Sequence, residues 1–358
     1  MSWTSPTSSW PFRRRKERHS AARLALGAAC AAALLVAAGT AQAQTIKFAH
    51  VDPADWTTSK KGAAAKVFKD LVEAESGGQL KVEVYPAGQI GGETELVAQA
   101  QAGAIQVVMV SGVFGNYCKE AAVLDMPFLF PSAAVAWKTL DGTFGEKLAE
   151  HCLKKTGLRT LAYGETGFRN FTNSVREIRS PADMKGLKLR VQQLPLYVEM
   201  VKGLGGIPTP VAWPETPGAL RTKVVDGQEN PVSVILGNKF YEFQTYLTLD
   251  QHVYGTDFLL VNEKFYQGLD AENRALLKRN AIVAANAGRS IQQINSAAGV
   301  AELASKGMKI YKPTAAELEQ FRAAAQPPVL AWLKQQVEPG WIENVQAAVA
   351  DAQKALAD

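Results

Sequence analysis

Residues Val224 to Pro231 read VVDGQENP, packing two acids, two amides, a glycine and a proline into eight positions. Asp226 and Glu229 have the types and spacing of a general acid and base. Gln228 and Asn230 are neutral groups that donate and accept hydrogen bonds around a ligand. Asn230 precedes Pro231, which pushes its backbone toward an extended conformation. The plain alternative is an Asx-type turn that satisfies only local backbone. The two are compatible, with Asp226-Gly227 making a turn that presents Asn230. Upstream, LKLRV (Leu187 to Val191) read as a strand puts Leu187, Leu189 and Val191 on one face and Lys188 and Arg190 on the other. A guanidinium there offers a carboxylate two parallel donors, or closes a structural ion pair. Trp213 is hemmed by Pro208, Pro210, Pro214 and Pro217, which can hold a large flat side chain at a cleft edge instead of in a core.

These residues need elements to position them. TIKFAH (Thr45 to His50) and LKVEVY (Leu80 to Tyr85) alternate as strands around a helix from about Thr58 to Ser76, and a helix from Glu93 to Ala102 precedes a buried strand at Ile105 to Ser111. The middle repeats this grammar: strands at Arg159 to Tyr163, Leu187 to Val191 and Ile207 to Val211, with helices from Pro195 to Leu204 and Pro217 to Thr222. Such alternation predicts a mostly parallel sheet covered on both faces, in two α/β lobes. His252 to Asn262 reads as a strand returning to the first sheet. From Asp270 to Ser305 there is no proline, Asp270 can cap the start, and Gly307 stands past the end. A helix of that length, about 50 Å at ~1.5 Å per residue, reaches from one lobe to the other, with Gly288 and Gly299 as places to bend. The remainder, opened by a Thr314/Glu317 capping box, is helical and amphipathic.

The first 43 residues read as a targeting segment: RRRKER (Arg13 to Arg18), an apolar run, then Ala41-Gln42-Ala43 with the cut after Ala43. Leu24 to Gly39 is about sixteen residues, mostly alanine, where a spanning helix needs about twenty strongly apolar ones. Removing the segment takes six of the 39 Lys and Arg and one of the 34 Asp and Glu, leaving 33 of each. The formal charge of +5 therefore belongs to the leader and argues for no nucleic-acid partner. Cys118 and Cys152 remain, as an exported disulfide or as two buried thiols, and sequence leaves both open. His50, His151 and His252 are isolated, so no metal site is expected.

Several segments together resemble the DctP-type periplasmic solute-binding proteins of TRAP transporters: VYPAGQIGGETELV (Val84 to Val97), TGFRNFTNS with PADMKGLKLRV (Thr166 to Val191), LGGIPTPVAW (Leu204 to Trp213) and VVDGQENP. The resemblance covers nearly the whole chain after residue 43. It implies a two-lobe periplasmic-binding-protein fold with crossing strands and a long helix spanning both lobes. The expected division is 44–167 plus 256–295 for one lobe and 168–255 plus 296–358 for the other. It also implies an organic acid in the cleft and delivery to the small and large membrane subunits of a permease, with no cofactor. The family's carboxylate-clasping arginine falls on Arg190, a second arginine on Arg169, the amide partner on Asn230 and the aromatic along the ligand on Trp213. Glu93 falls near a ligand-facing position by looser alignment, and Asp257 is carried over only by its distance from Asn230. The stretch PETPGALRT (Pro214 to Thr222) departs from many relatives, which carry an aromatic near Pro217 and a glutamine at Arg221.

Two rival functions remain. An exported enzyme would use Asp226 and Glu229, yet no nucleophile-elbow, metal or phosphate-loop motif accompanies them. A binding protein of this fold can also serve a sensor or another transporter class. Trp213, Leu194 and Phe168 suggest apolar contact with the ligand. Asp257, if it faces the cleft, disfavours a second carboxylate, which points to a monocarboxylate, hydroxy acid or keto acid before a C4-dicarboxylate.

Overall fold

A computed structural model describes residues 43–357. The segment expected to be removed lies, but for Ala43, outside the described residues. Strand β1 (Gln44–His50), α1 (Lys60–Glu75), β2 (Leu80–Tyr85), α2 (Glu93–Gln101) and β3 (Val107–Val110) begin the chain. Helices α3 (Ala133–Leu140) and α4 (Thr143–Thr156) then lead into β4 (Leu158–Asn173). The alternation resumes with β5 (Lys188–Val191), α5 (Pro195–Gly203), β6 (Ile207–Pro210), α6 (Thr216–Arg221), β7 (Gly227–Asn230) and α7 (Val232–Gly237). Last come β8 (Tyr246–Asn262), α8 (Glu263–Gly268), α9 (Ala271–Ser305), β9 (Lys309–Tyr311), α10 (Ala315–Gln336) and α11 (Pro339–Ala357).

The strands form one sheet in the order β2-β1-β3-β8-β4-β7-β5-β6, with β9 on β8. Its ends are parallel, as the alternation predicts: β1 with β2 and β3, and β5 with β6 and β7. Its middle is not. β8 runs antiparallel to β3 and β4, and β4 antiparallel to β7. The cause is the length of β4 and β8, which are shared by both ends and cross from one to the other. The strand expected over Arg159 to Tyr163 runs on to Asn173, through Gly164 and Gly167. These glycines are places of close approach: a Cβ at Gly167, where φ is +102°, would sit 2.3 Å from Gln292 Nε2 on α9. The β4–β8 register shifts between Glu165 and Gly167, a bulge that strengthens the local twist.

Alternation along the strands sorts side chains to two faces. Ala49, Val108, Leu260, Leu189 and Val191 join a core that runs beneath the sheet to α5, α10 and α11. Ile46, Phe48, Val107, Leu259 and Val261 point the other way, onto α1 and α9. A third core lies under the second half, around Leu220, Phe240, Leu247 and Leu303. Helix α9 is 35 residues long and is capped by Asp270, which accepts from Asn273 N–H at 2.7 Å. Its glycines serve contact more than bending: a Cβ at Gly288 would lie 2.8 Å from the Lys60 carbonyl, and one at Gly299 would lie 2.7 Å from Val232. The Thr314/Glu317 capping box forms. Cys118 and Cys152 are joined as a disulfide, with Cα atoms 5.4 Å apart. No helix among the described residues is long and apolar enough to cross a membrane.

Candidate functional site

Three neighbouring strands, β4, β7 and β5, bring Arg169, Asn230 and Arg190 to the lining of one cavity. Leu189 and Val191 take the core face of β5, so Arg190 takes the opposite one. Arg190 is 3 % exposed. Its Nε and Nη2 donate to the Val211 carbonyl at 3.0 and 2.8 Å, and its guanidinium lies 5.5 Å from the centre of the Trp213 ring. No carboxylate among the described residues forms an ion pair with it. Burial pushes the guanidinium down to about 10, because desolvation disfavours the charged form.

Arg169 is also buried but fully engaged. Its Nη2 donates to Glu229 Oε1 at 2.8 Å and to the Glu229 carbonyl at 2.7 Å, and its Nε donates to Glu229 Oε2. Burial alone would raise the Glu229 carboxyl, yet the charge and hydrogen bonds of Arg169, joined by His252, hold it at about 2. Burial would likewise lower His252, but Asp250 at 2.8 Å and Glu229 at 3.3 Å raise it to about 9. Asp226 is engaged too, its Oδ2 accepting from Lys188 N–H at 2.8 Å. The acid/base pair considered for VVDGQENP is thus two carboxylates already committed to other partners. The motif is only partly a turn: Val224 to Asp226 bend, but Gly227 to Asn230 form β7, and all four of these residues are buried. Local polarity signals a turn, whereas here the polar groups find buried partners. Asn230 Nδ2 donates to Gln228 Oε1 at 2.6 Å, and Gln228 Nε2 donates to Thr172 Oγ1 at 2.8 Å.

Facing this wall, the first half presents a group of charges in which Glu93 and Asp257 were expected from the sequence and Lys60, Lys61 and Asp52 were missed. Lys60 and Lys61 open α1 and are 4 % and 2 % exposed. Lys60 Nζ lies 2.6 Å from Asp52 Oδ2. Lys61 Nζ lies 2.5 Å from Glu93 Oε1 and 3.4 Å from Asp257 Oδ1. Glu93, first residue of α2, also accepts from Ser111 N–H and Oγ. Burial raises and the two lysines lower the Asp52 carboxyl, which settles at about 2. One signal was available. Two consecutive lysines at a helix N-terminus oppose the helix dipole, so SKK asks for nearby acids.

Arg190, Arg169, Asn230, Trp213 and Glu93 line one narrow cavity of about 40 Å³ together with Lys60, Lys61 and Asp52. Asp257 does not line it. It is fully buried behind the lysines and accepts from Thr166 Oγ1 at 2.7 Å. Leu194 and Phe168, expected as apolar contacts, are likewise absent from its lining and pack in or against the core. A larger cavity, about 570 Å³, opens between α4, β4 and α9. Both its guanidinium groups are paired, Arg289 with both Asp141 oxygens at 2.6 and 2.8 Å and Arg159 with both Glu263 oxygens at 2.7 and 2.6 Å. The larger cavity's remaining cation, Lys278, donates to the Leu161 carbonyl at 2.6 Å, whereas the smaller cavity holds a buried guanidinium with no ion-pair partner among the described residues, whose planar fork suits a carboxylate better than an ammonium does. Among the described residues no His, Cys, Asp and Glu group has the arrangement of a metal site.

The sequence matches the family described as "Bacterial extracellular solute-binding protein, family 7" (DctP) over residues 48–336. A solute-binding protein of Verminephrobacter eiseniae is 36 % identical over 311 residues, 86 % of this chain and 91 % of that protein. The crystal structure of the sugar acid binding protein DctPAm from Advenella mimigardefordensis, in complex with galactonate, is 33 % identical and superposes with a TM-score of 0.83, covering 87 % of this chain and 99 % of that one. A TRAP periplasmic solute-binding protein from Bordetella, with density assigned as pantoate, is 34 % identical with a TM-score of 0.79, covering 85 % and 98 %. With the two-part sheet, the crossing strands β4 and β8 and the spanning helix α9, these matches establish that the chain belongs to the DctP family of bacterial extracellular solute-binding proteins.

Proposed function

We propose that the chain is the extracytoplasmic solute-binding subunit of a TRAP transporter, capturing a small organic acid by its carboxylate and passing it to a membrane permease of small and large subunits. The observation that carries this is Arg190: a buried guanidinium lining a cavity, with no acid among the described residues in ion-pair contact with it. An uncompensated buried cation costs stability, and a ligand carboxylate supplies the missing charge in fork geometry. In this reading Asn230 supports the same carboxylate, Trp213 lies along the ligand, and Arg169, braced by Glu229, holds the wall. The galactonate and pantoate of the two related structures are both hydroxylated monocarboxylates, which fits this arrangement. The basic, apolar and Ala-Gln-Ala pattern of the leader supports export to the periplasm with cleavage after Ala43. Binding without turnover is the expected activity, because Asp226 and Glu229 are committed to a backbone amide and an arginine.

Calorimetry on the mature protein with galactonate and pantoate tests this. One ligand per chain is expected, with no product detectable by NMR. Arg190→Ala removes one side of a desolvated charge pair, typically ~2–5 kcal/mol or roughly thirty-fold or more in Kd. Arg190→Lys keeps the charge, loses the fork and binds far more weakly than wild type. Binding within about three-fold of wild type by Arg190→Lys would remove the carboxylate from this position. Arg169→Ala, in contrast, strands Glu229 and lowers folding stability by ~3–5 kcal/mol.

A further inference from the structure

The two walls of the cleft differ in net charge. On the wall built by β4, β7 and β5, Glu229 neutralises Arg169 and Asp250 pairs with His252, which leaves Arg190 as one formal positive charge. On the opposite wall Lys60 and Lys61 face three acids, Asp52, Glu93 and Asp257, which leaves one formal negative charge. His50, beneath them, adds no positive charge at neutral pH, because burial pushes its imidazole down to about 4. The cleft is therefore polarised from Arg190 toward Asp52 and Glu93.

Hydrogen-bond capacity follows the same division. Asp52 Oδ2 is occupied by Lys60, while Oδ1 has no cation nearer than Lys61 at 4.0 Å. Glu93 Oε1 receives Lys61 and Ser111 N–H, and the one Ser111 hydroxyl hydrogen is divided between Oε1 at 3.0 Å and Oε2 at 2.8 Å, which leaves Oε2 the freer oxygen. Lys60 has three N–H donors and makes one hydrogen bond. The wall thus offers two partly free carboxylate oxygens beside a partly free ammonium. A hydroxyl both donates and accepts, so it satisfies either kind of group. A second carboxylate only accepts, and it would bring a like charge to a wall already negative.

Granting that Arg190 takes a carboxylate, we infer that the ligand is a monocarboxylate with hydroxyl groups at its far end, and that Asp52 and Glu93 are the residues that read those hydroxyls and reject dicarboxylates. This moves the discriminating role from Asp257, which is fully buried behind the lysines, to two acids that line the cavity.

Matched acids isolate the effect. Calorimetry on the mature protein would compare D-erythronate with meso-tartrate, and galactonate with galactarate, each pair differing by a terminal carboxylate in place of a hydroxymethyl group. Butanoate serves as the four-carbon acid without hydroxyls. We expect the monocarboxylate of each bound pair to bind at least tenfold more tightly than its diacid, and erythronate at least tenfold more tightly than butanoate. Asp52→Asn should shrink the monoacid-to-diacid ratio at least five-fold, and Glu93→Gln reads the same ratio should the first variant fold poorly. If a diacid equals or exceeds its partner, or butanoate matches erythronate, while Arg190→Ala still abolishes binding, this inference is overturned and the carboxylate reading stands. If none of the five acids binds, both fall.

Discussion

At the scale of single residues, two arginines of the same cleft have opposite roles because of what lies opposite each. Arg169 is consumed by the protein, and its brace extends through Glu229 to His252, which stacks on Phe171 with ring centres 4.2 Å apart. His252 carries a folded-state value of about 9 against about 6.5 for an unperturbed imidazole. Because the folded value is raised, the stability from its proton is fully present below about pH 6.5 and is lost as pH rises through 9. His252→Gln should therefore be more destabilising at pH 6 than at pH 10, as read by urea denaturation of variant and wild type in parallel. A difference that does not change with pH would mean a neutral imidazole between Asp250 and Glu229.

Among the elements, the contact of α9 with α1 matters most for the site, because α1 opens with Lys60 and Lys61. Gly288 allows that contact, its missing Cβ leaving room for the Lys60 carbonyl. In a free helix Gly→Ala would stabilise by about 1 kcal/mol. At Gly288 the added methyl must push α9 away from the start of α1, and overpacking of this kind costs ~1–3 kcal/mol. Gly288→Ala should thus lower the melting temperature and weaken galactonate binding. Gly218→Ala in α6, where a Cβ meets nothing within 4 Å, should raise the melting temperature. If both glycines tolerate alanine equally, helix packing does not position the lysines.

For the whole molecule, the cleft walls already touch at their margins. Asn116 Nδ2 of the first half donates to the Gln193 carbonyl of the second at 2.6 Å, and a Cβ at Gly88 would lie 3.0 Å from Pro214. A ligand that completes the charge of Arg190 favours this closed arrangement only in so far as it binds it more tightly than an open one. Small-angle X-ray scattering of the mature protein should show a smaller radius of gyration with saturating galactonate than without it, and no change for Arg190→Ala. An unchanged profile for the wild type at proven saturation would mean that the lobes do not move about β4 and β8.

What the sequence determined by itself is local. The alternation of strands and helices, the Asp270 cap and 35-residue run of α9, the Thr314/Glu317 capping box and the core-opposed face of Arg190 rest on side chains within a few residues of one another, where periodicity and capping chemistry act. Family resemblance added which residues to gather, and five of its six named positions do line one cavity. Tertiary structure decided the rest. The lengths of β4 and β8 are supported by pairing with each other across bulges. Lys61 meets Glu93 and Asp257, Arg169 meets Glu229, and Cys118 meets Cys152 only because the folded chain closes loops of tens to hundreds of residues. A buried charge is tolerated where its partner is brought to it, and that pairing is a property of the whole chain and of no single segment.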